Sequence, residues 1–92
     1  MKTFLNKREW LNPIDSEDTG AISYCIKAAS WQVESSFQIR DCGKQITLNF
    51  SCSSPKEFKR RQKKIKLLIA SLQDIESSLP EAYEYYKANK ED

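Results

Sequence analysis

The sequence predicts an α+β domain in which three or four antiparallel strands pack against one long C-terminal helix. Three observations predict this fold: an apolar-polar alternation that begins near Ala21, five matched residue pairs around Cys42-Gly43, and an apolar stripe at helical spacing after Pro55. A chain of 92 residues has room for one hydrophobic core. Residues 1–92 are therefore predicted to form a single domain.

The N-terminal half of the chain is predicted to form the sheet. Residues 1–11 mix apolar and charged side chains and are predicted to be an edge strand. The sheet has four strands if this segment joins it and three if it does not. Residues 12–20 are rich in residues that favour turns and are predicted to be a loop. Residues 21–52 are predicted to form the antiparallel sheet, because apolar side chains such as Ile22 and Tyr24 alternate with polar ones.

A β-hairpin is predicted with Cys42-Gly43 as its two-residue loop, since glycine readily adopts the positive φ that such turns require. Counting outward from the loop gives five pairs in which apolar meets apolar, polar meets polar and opposite charges meet beside the turn. The pairs are Asp41 with Lys44, Arg40 with Gln45, Ile39 with Ile46, Gln38 with Thr47, and Phe37 with Leu48. A shift of one residue would move every side chain to the other face, so this agreement supports the register.

A long helix is predicted over residues 55–79. Ser54 is its expected N-cap, with Pro55 at the first helical position and Glu57 completing a capping box. Pro80 is expected to end or kink it, with a short second helix or tail over residues 81–90. The apolar stripe consists of Phe58, Ile65, Leu68, Leu72, Ile75 and Leu79. The predicted core combines this helix with Ile22, Tyr24, Ile26, Phe37, Ile39, Ile46, Leu48 and Phe50.

The charge of the chain is segregated. Residues 1–54 are neutral, residues 56–66 carry +6 (seven basic side chains against one acid), and residues 67–92 carry −4 (two basic against six acidic). We name six outward cations the basic face: Lys56, Lys59, Arg60, Lys63, Lys64 and Lys66. Cations near a helix N-terminus each lose about 0.3–1 kcal/mol to the helix dipole, so this arrangement opposes helix stability and favours a role in binding.

The composition argues against several classes of function. The chain has no histidine, only Gly20 and Gly43 as glycines, and no recognisable carboxylate motif, so we expect no enzyme and no cofactor. Three cysteines without histidine cannot close a four-ligand zinc site, and reduced thiols are expected. No apolar run is long enough for a membrane span or a signal peptide, and a cytoplasmic location is expected.

The basic face is the predicted partner-binding site, together with Arg61, which lies within the apolar stripe. The stem of Arg61 is expected to pack while its head reaches past the sheet edge; the alternative is that it anchors an acid of the partner. The favoured function is a non-catalytic regulatory or adaptor protein that binds an acidic protein surface. The alternative is backbone-directed binding of double-stranded nucleic acid with little sequence preference. The charge polarity also permits an antiparallel homodimer. Leu67, which lies off the stripe, is expected to contact the C-terminal segment.

Overall fold

A computed structural model describes residues 1–12 and 20–90 of the chain. It contains the strands β1 (Lys2–Trp10), β2 (Gly20–Ala28), β3 (Val33–Asp41) and β4 (Lys44–Asn49), followed by the helix α1 (Pro55–Asn89). The predicted α+β class is confirmed. The chain divides into two compact units, Met1–Arg61 and Gln62–Asp92, so the grouping of all 92 residues into a single domain stays a prediction.

The four strands form one antiparallel sheet in the order β1-β2-β3-β4. β1 pairs with β2 at one edge, which confirms the predicted edge strand in residues 1–11. Its register shifts between Thr3 and Leu5, where Phe4 is the extra residue of a bulge. The predicted loop at 12–20 lies almost entirely outside the described residues, and its last residue, Gly20, begins β2.

The β3–β4 hairpin has the predicted turn. Cys42 and Gly43 both have positive φ, at 50° and 78°, as both central residues of a type I′ turn do. All five predicted pairs occur, from Asp41 opposite Lys44 to Phe37 opposite Leu48. The predicted register is therefore confirmed along its whole length.

The two faces of the sheet differ in polarity. On one face Tyr24 and Phe37 are cross-strand partners whose ring centroids stack 5.9 Å apart. On the other face the Ser23 hydroxyl donates to the Gln38 side-chain oxygen at 3.3 Å, and the Gln38 amide donates to the Thr47 hydroxyl at 3.5 Å. The period-two alternation in the sequence produces this division.

The prediction of a buried core is wrong. Of the eight side chains that the sequence assigns to the sheet part of the core, seven are partly exposed and Ile46 is 56% exposed. Within residues 1–12 and 20–90, no hydrophobic side chain is buried. A single layer cannot bury its own face. The sheet unit contains one sheet with the first helical turns, and the second unit is a helix alone.

The start of α1 confirms the predicted capping box, with one change of partner. The Glu57 N–H donates to the Ser54 hydroxyl oxygen at 3.2 Å, as expected of a Ser N-cap. A capping box would place the Glu57 carboxylate on the N–H of Ser54. The carboxylate instead reaches Ser53, one residue earlier, and accepts from its N–H at 3.2 Å and from its hydroxyl at 2.9 Å. The Ser54 hydroxyl also donates to this carboxylate at 3.4 Å, so one carboxylate satisfies three donors at the helix start.

The prediction that Pro80 separates two helices is wrong. α1 is one helix of 35 residues with Pro80 inside it. A proline within a helix removes one N–H donor and crowds the carbonyl four residues earlier, and the helix can continue on either side. The residues after Pro80 include good helix formers such as Ala82 and Glu84, and Glu84 forms an i,i+3 ion pair with Lys87 at 3.0 Å.

Candidate partner-binding face of the helix

The predicted site residues lie on the first three to four turns of α1. Lys56, Lys59, Arg60, Lys63 and Lys66 are exposed, whereas Arg61 and Lys64 are partly buried. The capping box fixes where the helix begins, and the helical period then distributes these residues around its axis. Because α1 continues without interruption through residue 66, the six cations of the basic face share one helix.

Arg61 is held by the chain's own backbone. Its Nε donates to the carbonyl oxygen of Ser51 at 2.9 Å, which ties the second helical turn to the segment that follows β4. The predicted packing of its stem agrees with its partial burial. Arg61 therefore anchors the helix start, a role for which the sequence offered no specific partner.

The exposed cations of the basic face are not neutralised within the described parts of the chain. None of Lys56, Lys59, Arg60, Lys63 and Lys66 has a described acid within 4.0 Å, whereas Lys87 and Glu84 form an ion pair at 3.0 Å. Glu57 is the one acid in the basic run, and hydrogen bonds engage its carboxylate. The Ser53 hydroxyl lowers the pKa of Glu57, with smaller contributions from the Ser53 N–H, the Ser54 hydroxyl and the nearby Arg61 charge.

Leu67 is an exposed apolar side chain beside these cations. It is 69% exposed, and Lys63 and Lys64 precede it by four and three residues, which makes them its neighbours on the helix surface. The expected contact between Leu67 and the C-terminal segment does not form. Residues 81–89 continue the helix instead of folding back, so they lie several turns further along its axis.

No family model, curated protein or solved structure matches the chain.

Within the described residues, no group of three or more His, Cys, Asp or Glu side chains is placed to hold a metal ion. The same part of the chain contains no helix with the length and hydropathy of a membrane span. Cys25, Cys42 and Cys52 are not joined by disulfides, and Cys42 is exposed at the hairpin turn.

A second basic cluster lies on the polar face of the sheet. The register sets Arg8 beside Ser23 and Trp10 beside Ala21, so both long side chains stand on that face. The Arg8 guanidinium lies over the Trp10 ring at 5.5 Å from its centroid. Arg8 and Arg40 also line one shallow depression. The pairing of β1 with β2 places Arg8 and Trp10 on the same face as Arg40. The sequence of β1 alone does not show which residues of β2 it pairs with.

Proposed function

We propose that the chain is a small non-catalytic adaptor or regulatory protein that binds an acidic protein segment through the basic face of α1. The supporting observation is the combination of exposed, unneutralised cations with the exposed side chain of Leu67. A phosphate backbone offers charge alone, whereas a protein segment offers acids around an apolar anchor. The pairing of cations with Leu67 therefore favours a protein partner.

The expected partner is a segment that presents Asp or Glu residues on both sides of a Leu, Ile or Phe side chain. Its acids attract the basic face over a Debye length of about 8–10 Å at physiological salt, and its apolar side chain packs on Leu67. Charge then governs the association rate and excludes basic partners, while the apolar contact slows dissociation.

The experiment compares two probes by titration: a synthetic acidic amphipathic peptide with a leucine stripe, and a short RNA duplex. The variant Lys59→Gln, Arg60→Gln, Lys63→Gln removes three exposed cations. Exposed ion pairs contribute about 0.2–1 kcal/mol each, so the peptide should bind about tenfold more weakly. The matched control is Lys7→Gln, Lys27→Gln, Lys44→Gln, which removes three exposed cations from the strands and should bind normally.

Leu67→Gln separates the two kinds of partner. For a protein partner the substitution should weaken peptide binding by about 1 kcal/mol or more, because it removes the apolar anchor. A phosphate backbone makes no such contact, so duplex binding should not change. If the triple variant and Leu67→Gln both bind the peptide as tightly as the parent chain, the proposed site is wrong. Equal capture of the host's proteins by the parent and the triple variant, identified by mass spectrometry, would count against it as well.

Nucleic-acid binding is the second candidate, and the polar sheet face is the observation that favours it. Arg8, Arg40 and the exposed Trp10 place two cations and one aromatic ring on this face. For this candidate, the RNA duplex should bind more tightly than the peptide. The triple variant should also make log K less dependent on log salt, by about 0.9 in slope for each duplex phosphate that it no longer neutralises. Substituting Arg8 and Arg40 with Gln should then weaken binding further.

A further inference from the structure

The unbroken helix carries a heptad repeat of apolar residues through Pro80. Ile65, Leu72, Leu79 and Tyr86 follow one another at seven-residue intervals, and Leu68, Ile75 and Ala82 follow the first three of them after three residues. We name these seven residues the heptad stripe. A seven-residue apolar repeat is the pattern by which helices pair side by side. The repeat is continuous because α1 does not end at Leu79.

The heptad stripe is open to solvent over most of its length. Leu72 is 65% exposed, Ile75 60%, Leu79 63% and Tyr86 52%. Ile69, which borders the stripe, is 50% exposed. Covering Ile65, Leu68, Ile69, Leu72 and Ile75 on two chains, at about 100 Å² for each apolar side chain, would bury about 1,000 Å², which is the size at which a protein interface becomes specific.

The charges of α1 favour one arrangement of two such helices. The basic run at 56–66 precedes the stripe's centre, and the acids Asp74, Glu76, Glu81 and Glu84 follow it. Two parallel helices would set basic run beside basic run and acids beside acids. Two antiparallel helices set each basic run beside the other chain's acids, and like-charge contacts are avoided.

We propose that a second copy of this chain covers the heptad stripe from Ile65 to Ile75, with the two α1 helices antiparallel about a two-fold axis that passes beside Ala70. This axis places Ile65 opposite Ile75 of the second copy, and Leu68 opposite Leu72. It also sets Ile69 beside its own copy, which explains why an apolar side chain borders the stripe at that position. The interface uses the stripe and leaves the outward Lys59 and Lys63 accessible, so it goes beyond the proposed partner-binding function.

The same axis brings Lys66 of one chain near Glu76 of the other, on the side of the helix pair where Ile69 meets Ile69. The two-fold symmetry repeats this contact, so each dimer contains it twice. In a parallel pair the two residues would lie ten positions apart along the axis, about 15 Å, and would not meet.

The first test measures mass by sedimentation equilibrium over a range of concentrations. The full chain should be a dimer, and Leu72→Gln should raise the dimer dissociation constant about 100-fold or more, because the substitution occurs twice at the centre of the interface. Leu67→Gln is the matched control: Leu67 is as exposed as Leu72 on the same helix but lies off the stripe, so its dimer should be unchanged. A parent chain that is monomeric at high micromolar concentration overturns the proposal.

The second test establishes the direction of the helices. Lys66→Glu and Glu76→Lys should each weaken the dimer about tenfold, and the double variant should restore most of the parent affinity, since it exchanges the charges without removing the pair. A double variant no tighter than the single variants overturns the antiparallel register. All these residues are exposed, and far-UV circular dichroism confirms that each variant keeps its helix. Leu72→Gln tests the dimer and Leu67→Gln tests the partner site. The failure of one proposal can therefore be distinguished from the failure of the other.

Discussion

The hairpin turn offers the most direct test of the fold, through the substitution Gly43→Ala. Gly43 has a φ of 78°, and a Cβ built there meets no atom within 4 Å. The added methyl group therefore causes no clash, and the whole effect comes from placing an L-residue in the left-handed region. That conformation costs about 1–2 kcal/mol, so we expect the free energy of unfolding to fall by about 1 kcal/mol or slightly more. In a domain of this size such a loss lowers Tm by about 4–8 °C.

The assay is urea denaturation followed by tryptophan fluorescence, because Trp10 and Trp31 both lie in the unit that contains the sheet. Gly43→Asn is the control, since asparagine adds a side chain but tolerates positive φ and should lose less. Cys42 already bears a side chain at a φ of 50°, so Cys42→Asn should stabilise the sheet by a few tenths of a kcal/mol. The type I′ assignment is refuted if Gly43→Ala is as stable as the parent, or if Asn and Ala at this position are equally harmful.

Three further predictions concern the helix. The Ser53 hydroxyl and the other groups at the helix start hold the pKa of Glu57 in the folded protein below 4.5. The stability that this carboxylate contributes is therefore present above that pH and is lost as the pH falls through the folded pKa. Glu57→Gln should flatten the resulting decline of the urea midpoint at acid pH. Pro80→Ala should stabilise α1 by up to about 3 kcal/mol, seen as increased helicity and thermal stability in far-UV circular dichroism, and no gain would mean that tertiary context compensates for the missing N–H. Arg61→Leu should destabilise the sheet unit by about 1–3 kcal/mol, because a backbone carbonyl loses a charged donor, whereas Arg60→Leu should change the urea midpoint little.

The sequence predicted the features that depend on neighbouring residues. The register of the hairpin follows from turn chemistry and cross-strand matching, and both act within a dozen residues of Cys42-Gly43. The capping box follows from Ser54 and Glu57 in the same way. The edge strand in residues 1–11 was predicted despite its irregular pattern, which includes a bulge at Phe4.

The features that the sequence did not predict depend on context that local patterns do not contain. Pro80 lowers helix stability by a finite amount, and whether the helix continues depends on the residues that follow. The sequence analysis interpreted the apolar stripe and the apolar sheet face as one core because such faces are usually buried. Ile46 and Leu72 are exposed instead, and their own residue types do not show whether another element covers them. The bond from Arg61 to the Ser51 carbonyl requires the course of the segment after β4.

For the candidate site, the sequence predicted six outward cations on the basic face; five of them are exposed and Lys64 is partly buried. It did not identify Leu67 as exposed, because an isolated leucine off the stripe suggested a contact with a folded-back C-terminal segment. It also missed the meeting of Arg8 and Trp10 with the polar sheet face, which requires the pairing of β1 with β2. Both omissions concern residues whose surroundings are fixed by elements distant in sequence.

The order of the strands has a consequence for how the sheet forms. Each strand pairs with the strand next to it along the chain, so the sheet is a meander with low contact order, and such topologies fold quickly. The β3–β4 hairpin closes the shortest loop and can form within about 1–10 μs. If it nucleates the sheet, substitutions at Gly43 will slow folding more than they accelerate unfolding. Cys42 and Gly43 would then determine both the alignment of the strands and the speed at which the sheet assembles.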